Sequence, residues 1–132
     1  MTSSPTVQLR HELPDGTWHI DWMLDRDTHS GLITYRLPDR PDSLVKGAFL
    51  AAECLGEHRR EYLEYEGLVS NNRGSVTRVG RGEILDWASD GDEWWITVVW
   101  EAGPRQVLRI TKPEPDTGSI SCRIYCEESF SG

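Results

Sequence analysis

Alternation of apolar and polar side chains dominates this chain and predicts strands rather than helices. The clearest stretch is Trp18-His19-Ile20-Asp21-Trp22-Met23-Leu24. Side chains on a strand alternate between faces, so Trp18, Ile20, Trp22 and Leu24 make a bulky apolar set expected in a core. His19, Asp21 and Met23 fall on the other face, which is either half of a metal cradle or merely polar. Before it, a polar start expected to fray leads into a short strand at 6–11, with Val7 and Leu9 opposed to Gln8 and Arg10. Pro14-Asp15-Gly16 between the two runs is turn chemistry, proline fixing φ and Asp-Gly supplying the reversal.

The same pattern continues downstream. A charged loop over 25–30, with His29 expected as a solvated loop residue, precedes a strand at 31–37 that Pro38 stops. Residues 43–55 fit a helix capped by Ser43, with Leu44, Val45, Phe49, Ala51, Ala52 and Leu55 on one stripe. Gly47 weakens that reading, and a strand fits too. Residues 62–67 alternate. Residues 75–79 and 83–87 are expected to pair as a hairpin across Gly80-Arg81-Gly82, and 94–100 with 106–111 around Gly103-Pro104. A final strand spans 119–126. Eight or nine short strands with turn signals between them predict a mainly β protein. The expected form is a single domain over 1–132, a compact antiparallel β-barrel of about eight strands with at most one or two short helices.

Composition narrows the class. The 132 residues carry six tryptophans, which favours an aromatic core. A formal net charge of −8 opposes non-specific binding to nucleic acid but leaves room for a local basic site. No apolar run approaches the ~20 residues of a membrane span. The N-terminus has no signal-peptide core, so a cytoplasmic location and no membrane partner are expected. Three cysteines, an odd number, are expected as reduced thiols, Cys122 and Cys126 serving as small hydrophobes of the last strand.

Two constellations could carry chemistry. His19 and Asp21 project side by side, and His11 lies eight residues earlier across a turn, so antiparallel strands can gather two imidazoles and a carboxylate. Such a set leaves positions on a metal open for water and substrate, and mixed N/O ligation suits Mn, Fe or Zn. His58 and Tyr62, four apart, share a face, and His58-Arg59-Arg60 is a cationic cluster fit for phosphate. Arg73, Arg78 and Arg81 add a local positive patch. Cys54 and His58 have a spacing that is poor evidence for a thiol nucleophile.

The order of these motifs is more specific than any one of them. His11, a short turn and His19-x-Asp21 precede Thr34-Tyr35-Arg36-Leu37-Pro38. Then come His58-x-x-x-Tyr62, Tyr65-Glu66-Gly67 and Gly74-Ser75-Val76-Thr77. Over roughly residues 6–111 the chain resembles the 3′-phosphoesterase domain of bacterial DNA ligase D, in particular its short stand-alone members. The resemblance implies a β-barrel with a Mn-dependent site in a crescent-shaped groove, zinc or cobalt being the other candidate metals. Its implied activity is DNA repair chemistry on the 3′ ends of DNA or DNA/RNA primer-templates, removing a terminal ribonucleoside and then the 3′-phosphate. End-joining repair proteins are the implied partners. By position, His11, His19 and Asp21 would hold the metal, and His58 and Tyr62 would contact the scissile phosphate.

The chain departs from that pattern at three basic positions, a downstream arginine having no match among residues 46–52, and in a longer turn between His11 and His19. Met23 stands where the family carries an arginine two residues after the ligand aspartate, and Asp39 where it carries a lysine. Arg36 and Arg40 are the nearby candidates to replace them. Two readings follow: a 3′-phosphoesterase, with reduced or lost activity where phosphate contacts are missing, or a non-catalytic metal-binding barrel that binds nucleic-acid ends or a repair partner. A two-histidine, one-carboxylate iron oxygenase ranks lower, because its third histidine usually lies well downstream and only His29 and His58 follow the pair.

Overall fold

In the computed structural model, which describes residues 3–26, 31–113 and 118–131, the predicted alternation becomes nine strands. They are β1 (Ser4–Glu12), β2 (Trp18–Leu24), β3 (Leu32–Leu37), β4 (Phe49–His58), β5 (Gly67–Leu68), β6 (Ser75–Asp90), β7 (Glu93–Trp100), β8 (Arg105–Thr111) and β9 (Ser121–Phe130). All pair antiparallel in the order β1-β2-β3-β4-β9-β8-β7-β6, and β6 pairs back onto β1. The sheet therefore closes into a ring of eight strands, a barrel-like form without long free edges. The two-residue β5 adds to the start of β6. Pro41–Ser43 and Arg60–Leu63 are single 3₁₀ turns. No helix among the described residues is long and apolar enough to cross a membrane.

The ring encloses the main core. Ile20, Trp22 and Leu24 of β2 pack there with Tyr35, Leu37, Ile96, Val98, Trp100, Leu108, Ile110 and Ile124. Cys122 and Cys126 are buried in β9 as small hydrophobes, and burial pushes the Cys122 thiol up to about 12. The indole N–H groups find partners inside. Trp22 Nε1 donates to Thr6 Oγ1 at 2.8 Å, and Trp100 Nε1 donates to Gln106 Oε1 at 2.8 Å. Satisfied donors let large aromatics be buried without the desolvation cost of an orphan N–H.

The opposite face of β1 and β2 is not simply wet. Val7, Leu9, Met23, Leu32 and Val76 form a second apolar cluster on the outside of the ring, capped by Tyr62, Leu63 and Val69. Met23 is only 1 % exposed, whereas Trp18, expected inside, is 42 % exposed at the open end of its strand. The Arg10 guanidinium lies 4.4 Å from the Trp18 ring centroid and holds it in place. Period two assigned the faces correctly; it could not tell that a later segment would cover one of them.

Three other expectations change, and one left open is decided. Residues 75–90 are one continuous strand, not a hairpin broken at 80–82. A Cβ on Gly80 would lie 2.8 Å from Gln8 Nε2, and one on Gly82 would lie 2.7 Å from Val99 O. These glycines permit close strand approach, rather than a reversal, where β6 leaves β1 and joins β7. Residues 43–55 take the strand alternative, with β4 beginning at Phe49 after the 3₁₀ turn at Pro41–Ser43. Of the alternating segment 62–67, Tyr62 and Leu63 end the 3₁₀ turn Arg60–Leu63 and Gly67 opens β5. Ser4 and Pro5, expected to fray, pair with Ile84 and Glu83. His29 lies outside the described residues.

Candidate metal centre and its cavity

Register builds the site. In the β1–β2 hairpin His11 stands directly opposite His19, and in the β2–β3 pair Asp21 stands opposite Arg36. Cross-strand partners share a face, so one row on the outside of the ring carries two imidazoles, a carboxylate and a guanidinium. The connection between the histidines is tight: Leu13 N donates to Thr17 O at 2.8 Å, and Asp15 Oδ1 accepts from Thr17 N at 2.9 Å.

The donor atoms converge. His11 Nδ1 lies 3.1 Å from His19 Nε2 and 3.4 Å from Asp21 Oδ2, and His19 Nε2 lies 3.2 Å from Asp21 Oδ1. One donor from each residue falls within a 4.8 Å span. Two ligands about 2.1 Å from a common ion, at an angle of about 90–110°, would be about 3.0–3.4 Å apart, which the nearest pairs match.

Two further observations fit a cation. His11 Nε2 lies 2.6 Å from Arg73 O. A carbonyl only accepts, so Nε2 is the nitrogen that donates there, and Nδ1 faces the cluster. A backbone carbonyl on the distal nitrogen is the usual outer partner of a metal-bound histidine. Asp21, 4 % exposed, has an Oδ1 without a hydrogen-bond partner. A buried carboxylate oxygen left so is costly unless a charge compensates it.

The carbonyl arrives through a close contact. Gly74, at φ +90°, lies so near the end of β1 that a Cβ there would be 1.8 Å from Glu12 O. Only glycine allows the 69–74 loop to pass beneath the strand and present Arg73 to His11.

His11 and Asp21 border a cavity of about 140 Å³ that Arg36, His58, Tyr62 and Arg73 also line. The five residues singled out in the sequence are thus gathered, His19 facing an adjoining groove. His58 and Tyr62 rings meet edge to face, 6.2 Å between centroids. Burial holds the His58 pKa below the usual imidazole range. The charge of Asp21 opposes this, while Arg36, Arg73 and His11 add to it. Its Nδ1 is buried without a partner.

The cationic sets of the sequence divide. Arg60 is withdrawn from the cavity: its Nη1 and Nη2 donate to Asp25 at 2.7 and 2.8 Å. Asp25, expected in a charged loop, is 1 % exposed. Arg59 is exposed beside Glu61, and Arg78 and Arg81 both approach Glu64. Arg40 is committed to Asp42 in a two-point ion pair, while Arg36 lines the cavity. Cys54 packs against the main core instead of facing the cavity. Sequence reasoning missed the Asp25–Arg60 pair and the role of the Arg73 carbonyl. The only available signal for the latter was Gly74 beside it.

The candidate metal cluster carries a direct test. Manganese at 100 times its dissociation constant, binding only the folded protein, should stabilise it by ~2.7 kcal/mol. A thermal melt should rise by roughly 8–10 °C, and His19→Ala should abolish the rise. An equal rise in the variant would place the ion elsewhere.

Together, ring and row define a barrel-like antiparallel β protein with a two-histidine, one-carboxylate cluster beside an arginine-lined cavity. No protein-family model and no curated protein matches the sequence.

Proposed function

We infer that the protein is a divalent-metal-dependent phosphoesterase acting on the 3′ ends of nucleic acid in cytoplasmic DNA repair, manganese being the metal the motif resemblance favours. The observation that carries this reading is the cavity itself. Its 140 Å³ suits a phosphate rather than a larger group, and it joins the His11–Asp21 side of the cluster to Arg36, Arg73 and His58. Arg36 supports it further, because it supplies a guanidinium near the place where Met23 withholds one.

A bound divalent ion would polarise a phosphoryl oxygen and lower the pKa of a bound water. The protein's own groups do the rest. Arg36 holds non-bridging oxygens as charge develops on them, and Arg73, whose Nε and Nη2 already donate to Ser70, lends its positive charge from the cavity wall. Tyr62 packs against His58 and fixes the ring facing the phosphate. A phosphate dianion in the cavity raises the His58 pKa, so the imidazole acquires a proton when substrate is present. Water oxygen bonds to phosphorus as the P–O3′ bond breaks; protonated His58 gives its proton to the 3′ oxygen, a proton of the water returns to the imidazole, and inorganic phosphate leaves.

Purified protein with manganese and a 3′-phosphorylated primer-template should yield a 3′-hydroxyl primer, and chelation should stop the reaction. If no product forms with manganese, zinc or cobalt, the enzyme reading fails. The second reading, a non-catalytic metal-binding barrel that holds nucleic-acid ends or an end-joining partner, would then stand. Burial of Met23 in the apolar cluster favours that second reading.

A further inference from the structure

The metal-side cavity is too small for a nucleoside. Sites that bury a ligand of that size occupy about 300–1,000 Å³. A groove of about 710 Å³ adjoins it, and Arg36 lines both. The groove opens where β3 leaves β4 after Arg36 and Glu53, the last pair between them. Trp18 and His19 of β2 border it on one side and Arg123 of β9 on the other, with Pro38 and Ala51 between.

We propose that this groove is a nucleoside subsite in which the base next to the scissile phosphate stacks on Trp18. The proposal rests on the reading of the metal centre as a phosphoester site. Among the described residues Trp18 is the one large aromatic lining the groove, and it is exposed although it lies on the core-facing side of β2. The Arg10 guanidinium pins the indole, so little side-chain freedom is lost when a base stacks on it. Charge agrees with the occupant. Arg36 stands at the phosphate end and Arg123, held by Phe49 and Tyr125, at the far end, against Glu53 as the acidic residue of the lining. Apolar walls with a cation at each side suit a planar base between two phosphates, and stacking tolerates any base.

The test is equilibrium binding, with manganese, of a dinucleotide whose 3′-phosphate is replaced by an unhydrolysable methylenephosphonate. Its analogue lacking the terminal base is the comparison. The natural protein should bind the complete probe about tenfold more tightly than the abasic one. Trp18→Ala should bind both with the abasic affinity, and Trp18→Phe should keep most of the preference. The proposal is overturned if the natural protein shows no preference, if Trp18→Ala retains it, or if Trp18→Phe loses it as fully as alanine does. Hydrolysis of the 3′-phosphorylated primer is read separately. Product without base preference overturns the subsite alone; base preference without product supports the subsite and overturns the enzyme.

Discussion

Replacing Arg36 by alanine is expected to lower kcat/KM for 3′-phosphate removal by about 10²–10³, the usual loss when one donor to a developing oxyanion is deleted. The residue owes its position to register: it is the cross-strand partner of Asp21, with Nε 3.8 Å from Oδ1. That Nε is buried and makes no hydrogen bond, so the guanidinium is held beside the cluster without being used up by it. Arg36→Lys should recover only part of the rate, because an ammonium lacks the planar fork that takes two phosphate oxygens at once. The manganese-induced thermal shift should persist in both variants, since Arg36 is not a ligand. Steady-state kinetics alongside melts separate the two effects. A loss below tenfold in Arg36→Ala would remove the residue from the phosphate site.

Arg60→Ala is expected to cost about 3 kcal/mol of folding stability, a large part of what a domain of this size has. Asp25 sits at the end of β2 and is almost wholly buried, with both carboxylate oxygens accepting from Arg60. Deleting the guanidinium leaves a carboxylate desolvated and uncompensated. Asp25→Ala together with Arg60→Ala should be less destabilised than Arg60→Ala alone, because the uncompensated charge goes with its partner. Urea denaturation measures both. A cost under 1 kcal/mol for the single variant would make the pair a surface contact of little weight. The pair also ties the 3₁₀ turn Arg60–Leu63, and with it Tyr62, over the outside of β1 and β2. Loosening that turn should raise KM as well.

Much of this molecule follows from period-two alternation and turn chemistry. Residues 18–24 divide between two faces in the structure as they do on paper, and turns at Pro14-Asp15-Gly16 and Gly103-Pro104 join β1 to β2 and β7 to β8. Local signals suffice there because strand periodicity and the φ demands of turns act over a few residues. The candidate ligands His11, His19 and Asp21 were legible for the same reason, being partners across one hairpin.

Trp18, Asp25 and the 80–82 region depart from the local reading because a distant segment decides them, and a distant segment also buries Met23. Residues 59–69 fold over the outer face of β1 and β2, so Met23 is buried and Asp25 has an arginine from 35 positions away. Gly80 and Gly82 look like a turn until Gln8 and Val99 press against them. Which nitrogen of His11 faces the cluster depends on a carbonyl 62 residues downstream. By itself the sequence determined most of the strands and turns and the candidate metal-binding residues. Only closure of the ring and the packing of residues 59–69 decided which faces are covered and which arginines line the cavity beside the cluster. Burial and hydrogen bonding between remote segments are set by tertiary contact, which local periodicity does not encode.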